Sequence, residues 1–139
     1  MSQKIINHQM IIDGKHTNSI TEKTIEIECP ANKRIFASVP RGNVADVDIA
    51  VKSSLKAFRS WSKVMPKERG RILLKIADAI EIEKEDIAKI IATETGNAIK
   101  TQARPEINLV VDIFRYFGGL SSELKGETIP LGEHVLSYT

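Results

Sequence analysis

The sequence contains a single cysteine, Cys29, among 139 residues. An intramolecular disulfide needs two cysteines, so packing and hydrogen bonds must hold this fold together. The first thirty residues also lack the basic, apolar and small-residue zones of a secretory signal peptide, which makes the cytoplasm the expected location. A lone cysteine with no base beside it is a poor candidate for a catalytic thiolate. We therefore expect Cys29 to be a small side chain at the end of a strand.

Long hydrophobic runs and an excess of one charge are missing as well. The longest apolar run is only a few residues, whereas a helix that crosses a bilayer needs about 20. The 20 basic and 18 acidic side chains are interspersed and leave a net charge of +2. No single-sign surface is available to neutralise a phosphate backbone. These absences argue against a membrane span and against nucleic acid as a partner.

The spacings that hold metals and nucleotides are absent too. His8, His16 and His134 lie far apart, so no two of them could share a helix face or join a cysteine in a zinc site. Dinucleotide-binding turns need closely spaced glycines between a strand and a helix, and the eight glycines of this chain never take that arrangement. The residues by themselves therefore predict neither a zinc site nor a cofactor turn.

The patterns that are present begin with short strands. An apolar run precedes Asp13 and Gly14, a dipeptide that tolerates positive φ and favours a two-residue β-hairpin. Polar and apolar side chains alternate over residues 24–28. A turn follows at residues 30–33, and residues 35–39 then form a second run typical of a strand. Residues 134–138 form another short segment typical of a strand, near the end of the chain. We expect an N-terminal β-hairpin, two further strands and a terminal strand with no evident partner.

Three longer segments carry apolar side chains at helical spacing. The first follows Asn43, whose side chain suits a helix N-cap, and runs towards Val64. The second begins at Pro66 and extends to a left-handed stop at Gly96, although a charged run inside it leaves its interior boundary open. The third covers residues 103–124. The apolar stripe of the first helix comprises Val47, Val51, Leu55, Phe58 and Trp61.

Strands and helices are segregated along the chain, which favours an α+β fold over an alternating βαβ arrangement. A chain of 139 residues fits one domain or part of a larger one. The three amphipathic helices could pack on one another or on a surface that the chain does not contain. Their pattern leaves both alternatives open.

A series of short motifs runs along the chain in a fixed order. The motif residues are Ile12, Asp13 and Gly14; Pro30 and Ala31; Val39 and Pro40; Asp46, Val47 and Asp48; Ala57, Phe58 and Trp61; Glu68 and Arg69; Glu94, Thr95 and Gly96; Arg115 and Tyr116; and Gly126, Glu127, Thr128, Ile129 and Pro130. Their order and spacing resemble the N-terminal portion of NAD(P)-dependent aldehyde dehydrogenases over nearly the whole chain. The chain departs from the family pattern at Cys29, Asn97, Phe117 and Gly118. These departures affect the assignment to a subfamily more than the assignment to the family.

The resemblance implies that the chain is a fragment of the α/β aldehyde dehydrogenase fold. Residues 1–126 would form the N-terminal part of the cofactor-binding domain. Residues 127–139 would begin the strand of the oligomerisation arm, so we expect a homo-oligomer or association through the terminal strand. An arm of this kind would also explain an unpaired strand edge at the carboxyl end.

Two sets of candidate site residues follow from the same resemblance. Pro105 and Leu109 match positions on the helix that lines the aldehyde channel of the family, so they are candidates for lining the substrate channel. Ile27, Glu28 and Glu94 are candidates for binding a monovalent cation, partly through backbone carbonyls. Glu94 also lies in the last turn of its predicted helix, where the helix dipole does not favour an anion.

The resemblance further implies a reaction that this chain is not equipped to perform. A complete family member oxidises an aldehyde to a carboxylic acid with NAD or NADP, using a cysteine nucleophile and a general-base glutamate. Those residues and the cofactor-binding residues would belong beyond Thr139. We therefore expect no catalytic residue and no cofactor in this chain alone, and we interpret it as a truncated N-terminal fragment. The alternative is a non-catalytic module that pairs with full-length subunits through its terminal strand.

Overall fold

The computed structural model describes residues 5–139 and shows an α+β arrangement, which confirms the expected fold class. Five short strands come first, four α-helices follow, and a two-stranded hairpin comes last. The strands are β1 (Ile6–Asn7), β2 (Met10–Ile12), β3 (Lys15–Thr17), β4 (Thr24–Cys29), β5 (Arg34–Pro40), β6 (Thr128–Pro130) and β7 (Leu136–Tyr138). The helices are α1 (Val44–Trp61), α2 (Pro66–Ile82), α3 (Lys84–Thr95) and α4 (Arg104–Leu120), with a π-helical turn at Ile99–Ala103.

The opening strands form a three-stranded sheet and a separate hairpin. β5 lies in the centre of the sheet, antiparallel to β4 and parallel to β1. β2 and β3 pair around Asp13 and Gly14, whose φ angles of 54° and 70° suit a two-residue hairpin turn. The predicted N-terminal hairpin and the two strands after it are therefore confirmed.

The terminal strand differs from the expectation because it has a partner. β7 pairs antiparallel with β6, and Ile129 lies opposite Ser137. The backbone amide of Thr139 donates to the carbonyl of Glu127 at 3.0 Å, which extends the pairing by one hydrogen bond. The sequence did not reveal β6 because three residues are too few to show a period-two alternation.

The expectation of three amphipathic helices is corrected to four within residues 5–139. The long second segment divides at Glu83, where the backbone angles of φ −91° and ψ 5° interrupt the helix between α2 and α3. The apolar residue beside this break, Ile82, is 81% exposed and adds no packing that would hold the helix straight. The last helix ends at Leu120, four residues before the predicted end at Leu124, which is 96% exposed.

The helical core is centred on the contact between α2 and α4. Gly70 and Ala77 of α2 are buried, as are Val111 and Gly118 of α4. A Cβ built on Gly118 would lie 3.0 Å from Cδ2 of Leu74, so the two helices approach each other closely at this glycine. Within the part of the chain that the structure describes, every helix is too short or too polar to traverse a bilayer.

α3 joins this core through a smaller cluster. Ala88 of α3 is buried with Ala103, the last residue of the π-helical turn, and with Ile107 in the first turn of α4. α1 is different, because its main contact with another element of the described chain is with the short strand β2. The first three helices therefore differ in how far they are buried. α2 and α3 pack against α4, whereas most of the surface of α1 is exposed.

Candidate functional site

The first turn of α4 is fixed by an ion pair with α3. Arg104 Nε donates to Glu85 Oε1 at 2.9 Å, and Arg104 Nη2 donates to Glu85 Oε2 at 2.9 Å. The hydrogen bond from Arg104 lowers the pKa of the Glu85 carboxyl. Both side chains are about half exposed, so the pair orients the helix start more than it stabilises the fold. Sequence analysis missed the pair because its members lie 19 residues apart.

Pro105 and Leu109 lie on one exposed face of this helix. Pro105 is the second residue of α4, where a missing amide hydrogen removes no helical hydrogen bond. Leu109 follows four residues later on the same face and is 57% exposed. Ile107 and Val111, by contrast, are buried. The structure therefore brings the two candidate channel residues onto one accessible surface, and their role in a substrate channel stays a prediction.

The candidate cation ligands lie on β4 and α3, two elements that contact each other. Ile27 is half-buried, whereas Glu28 and Glu94 are exposed. A Cβ built on Gly96 would lie 3.4 Å from Cβ of Pro30, so the end of α3 closely approaches the end of β4. The register of β4 against β5 also shifts between Ile27 and Glu28, which locally redirects backbone groups.

A cation at this place would depend on backbone carbonyls. The described residues include no group of three or more histidine, cysteine, aspartate or glutamate side chains that could hold a metal ion. Backbone carbonyls are suitable ligands for hard cations, but they leave no signature in a sequence. The cation site therefore stays a prediction.

A pocket of about 370 Å³ lies among the N-terminal strands and was not anticipated from the sequence. Its polar wall includes Asn7, Ser19, Lys23 and Ser38. Ser38 Oγ donates to Asn7 Oδ1 at 2.7 Å, and Ser19 Oγ donates to the carbonyl of Lys23 at 3.1 Å. These polar groups satisfy one another, and we assign the pocket no ligand. Its wall comes from separate strands, which is why no single motif predicts it.

Comparison with known proteins decides the family. The model described as "Aldehyde dehydrogenase family" matches residues 16–139, which is most of the chain. This chain belongs to the aldehyde dehydrogenase family. The resemblance that the sequence motifs indicated is therefore confirmed.

Curated relatives of this aldehyde dehydrogenase chain are much longer than the chain itself. The aldehyde dehydrogenase of Aspergillus niger is 37% identical over 131 residues, which cover 94% of this chain and 26% of the relative. The cytosolic 10-formyltetrahydrofolate dehydrogenase of Xenopus tropicalis is 31% identical, and the match covers 92% of this chain and 14% of that protein. The chain thus spans about a quarter, or less, of the length of these relatives.

This chain also covers only about a quarter of the length of solved aldehyde dehydrogenase structures. The NAD+ complex of the aldehyde dehydrogenase from Bacillus cereus is 31% identical, with a TM-score of 0.88 over 97% of this chain and 28% of that one. The salicylaldehyde dehydrogenase of Pseudomonas putida G7, complexed with salicylaldehyde, is 27% identical, with a TM-score of 0.88 over 96% of this chain and 28% of that one. The chain therefore has the fold of the N-terminal part of an aldehyde dehydrogenase.

The aldehyde dehydrogenase family implies a nicotinamide cofactor, and free amides at a helix start are a common binding site for the pyrophosphate of such a cofactor. In the described chain, β5 leads directly into α1. Asn43 Oδ1 already accepts hydrogen bonds from the amides of Ala45 and Asp46 at 2.7 Å and 3.2 Å. The carboxylate of Asp46 adds negative charge at the same turn, which repels an anion. This strand-to-helix connection of the aldehyde dehydrogenase segment therefore does not fit a pyrophosphate.

The cysteine of this aldehyde dehydrogenase segment lies where the sequence predicted a small structural side chain. Cys29 is the last residue of β4, pairs with Arg34 across the sheet, and is 7% exposed. Its carbonyl accepts a hydrogen bond from the amide of Lys33 at 2.8 Å, which closes the turn between β4 and β5. A nucleophilic thiolate must be accessible to its substrate, and this position is buried instead.

Proposed function

We propose that this chain forms the N-terminal segment of an NAD(P)-dependent aldehyde dehydrogenase subunit, whose complete form oxidises an aldehyde to a carboxylic acid. The observation that carries the proposal is the superposition of 97% of this chain on 28% of the Bacillus cereus aldehyde dehydrogenase, with a TM-score of 0.88. That structure is an NAD+ complex, which supports NAD as the cofactor of the complete protein. The segment would contribute scaffold and surface, and the chemistry would depend on the rest of the subunit.

Two parts of the segment have different tasks in this proposal. Residues 1–126 form the N-terminal part of the cofactor-binding domain, and residues 127–139 begin the oligomerisation arm. The hairpin of β6 and β7 supports this division because its main contacts are between its own two strands. Leu136 and Tyr138 are 79% and 74% exposed, so β7 presents apolar side chains to a partner. The homo-oligomer that we propose would form through this strand.

The outer face of α4 would take part in binding the aldehyde. Pro105 and Leu109 present an apolar surface in the first turns of the helix. The bidentate pair of Arg104 with Glu85 holds that end of the helix against α3. A channel wall needs apolar side chains on a rigid element, and this arrangement supplies both.

The 139-residue chain alone should not oxidise aldehydes. We expect no NADH or NADPH absorbance to appear when the purified chain is mixed with either oxidised cofactor and a panel of aliphatic and aromatic aldehydes. The reason is that Cys29 is buried and that the turn before α1 does not fit a pyrophosphate. A full-length family member assayed in parallel provides the control. Turnover that follows the chain through successive purification steps would contradict the proposal.

The cation hypothesis predicts a bound monovalent ion between β4 and the end of α3. Crystals of the chain soaked in thallium(I) should show an anomalous peak near Ile27, Glu28 and Glu94. The end of α3 and the end of β4 already approach each other closely, which is the observation that motivates the site. A soaked crystal with no anomalous signal at this place, but with thallium bound elsewhere, would reject it.

A second candidate function is a non-catalytic module that pairs with full-length subunits. The exposed edge strand β7 favours it, because an unpaired edge can add a strand to another sheet. Mixing the chain with full-length family subunits and measuring mass by light scattering would test this function. A chain that lacks residues 127–139 should then fail to join the subunits, and equal incorporation of both chains would reject the module.

A further inference from the structure

A second pocket lies between the start of α3 and the start of α4 and has a volume of about 180 Å³. Its lining residues are Lys84, Glu85, Arg104, Ile107 and Asn108. Ile107 is only 5% exposed, so it offers a small apolar surface. The other four side chains are polar and exposed. We refer to this cavity as the α3–α4 pocket.

The lining of the α3–α4 pocket has an excess of one positive charge. Arg104 directs Nε and Nη2 at the carboxylate of Glu85, so the charges of these two residues largely cancel. Within residues 5–139, no acidic side chain forms an ion pair with Lys84. Glu85 also leaves the hydrogens on Nη1 of Arg104 unused. The pocket therefore has an ammonium group and one guanidinium nitrogen that can donate to an anion.

Two further features of the pocket favour an anion. Lys84 and Glu85 are the first residues of α3, whose amino end carries the positive part of the helix dipole. The N-cap residue Glu83 makes no side-chain hydrogen bond to the first amides of this helix. Asn108 supplies another donor through its side-chain amide. The excess of a single positive charge matches a carboxylate better than a doubly charged phosphate.

The α3–α4 pocket borders the face of α4 that carries the two candidate channel residues. Pro105 directly follows Arg104, and Leu109 directly follows Asn108. Successive residues of an α-helix are rotated by about 100°, so Asn108 lies about 60° from Pro105 around the helix axis. All four side chains are exposed. The pocket and the apolar face therefore adjoin each other at the start of α4.

We propose that the α3–α4 pocket binds the carboxylate of an aldehyde substrate, so that the complete enzyme favours aldehydes with a terminal carboxylate over neutral aldehydes. This inference rests on the proposed function, because it uses Pro105 and Leu109 as the wall of the substrate channel. Lys84, Nη1 of Arg104 and the amide of Asn108 donate to the carboxylate. The carbon chain lies along Pro105 and Leu109, and the aldehyde group extends towards the rest of the subunit.

The α3–α4 pocket can be tested in the 139-residue chain without any turnover. Propionate is the probe, and propionamide, which has nearly the same shape but no charge, is the control. At constant ionic strength, propionate should shift the backbone amide resonances of the pocket residues along saturating curves, with a dissociation constant on the order of 1–10 mM. Propionamide should not shift them. Shifts that stay linear in propionate concentration, or that are equal for the two probes, would reject the pocket.

Two variants separate the pocket from the general charge of the chain. Lys84→Gln removes the unpaired ammonium group and should weaken propionate binding about fivefold or more, because a charge-assisted hydrogen bond is lost. Lys89→Gln removes the same charge from the same helix, at a residue that pairs with Asp86 outside the pocket, and should change binding by less than about twofold. Both lysines are exposed, so both variants should retain the circular dichroism spectrum. Equal weakening by the two variants would contradict a specific pocket.

A complete subunit that contains this segment tests whether the carboxylate belongs to the substrate. Lys84→Gln should raise the KM for an aldehyde with a terminal carboxylate about fivefold and leave kcat unchanged. The KM for a neutral aldehyde of the same length should not change, and propionate should compete with the carboxylate-bearing aldehyde. Equal KM changes for the two aldehydes would reject the substrate role. Noncompetitive inhibition by propionate would reject it too, and would assign the pocket to a free carboxylate ligand.

The outcomes distinguish this inference from the proposed function. If the complete subunit oxidises neutral aldehydes while the 139-residue chain binds no propionate, the pocket is rejected and the proposed function stays intact. If the complete subunit oxidises no aldehyde, the proposed function fails and the substrate role of the pocket fails with it, even where propionate binds.

Discussion

We expect Gly70→Ala to lower the free energy of unfolding by about 2 kcal/mol, through overpacking at the contact between α2 and α4. A Cβ at this position would lie 2.5 Å from the carbonyl oxygen of Gly118 and would overlap the hydroxyl of Ser121. The first of these neighbours is backbone, so the helices themselves must move apart. The loss should exceed the gain that alanine normally brings to a helix. Denaturant unfolding followed by circular dichroism measures the difference.

The matched control is Gly119→Ala, which makes the same exchange on α4. Nothing lies within 4 Å of a Cβ built on Gly119. Only helix propensity should change, so we expect the free energy of unfolding to rise by about 0.5–1 kcal/mol. The two substitutions should therefore act in opposite directions. If Gly70→Ala stabilised the protein, α2 and α4 could not approach each other as closely at Gly70 as the structure shows.

Asp46→Ala should lower the free energy of unfolding by about 2 kcal/mol, because a carboxylate that accepts two hydrogen bonds is removed. Asp46 Oδ1 accepts from the amide of Ile20, and Asp46 Oδ2 accepts from the amide of Asn43, each at 2.9 Å. The side chain is only 4% exposed, so water replaces these bonds poorly. The same unfolding measurement applies, and hydrogen exchange should also accelerate at the start of α1.

Two other substitutions define what Asp46 contributes. Asp48→Ala removes an exposed carboxylate two residues along α1 and should change stability by less than about 0.5 kcal/mol. Asp46→Asn keeps one acceptor oxygen, so we expect a loss between those of the alanine variant and the original chain. Equal effects of Asp46→Ala and Asp48→Ala would mean that the two hydrogen bonds add nothing to the fold.

Local features of the fold were predictable because their causes are local. Asp13 and Gly14 form the predicted hairpin turn, Asn43 caps α1 with its side chain, and Gly96 ends α3 with a φ of 77°. Each depends on the conformational preference or hydrogen bonding of one or two residues. The break at Glu83 was located only by the structure, because the apolar spacing continues on both sides of it.

The candidate site was predictable only in part. The resemblance to the family pointed to Pro105 and Leu109, and helical spacing alone is enough to place them on one face. The pairing of Arg104 with Glu85 depends on how α3 and α4 pack, so nothing in either segment reveals it. The approach of Gly96 to Pro30, which bears on the cation hypothesis, likewise joins residues that are distant in the sequence.

The amino-acid sequence by itself determined the family, the segregation of strands from helices, and the apolar face of each helix. These properties follow from residue types and their spacing along the chain. Only the tertiary structure decided which of those faces are covered. α2 and α4 bury small residues against each other, whereas the five residues of the apolar stripe of α1 stay exposed. The physical reason is that spacing specifies an apolar surface, but a helix is buried only when a complementary surface lies against it.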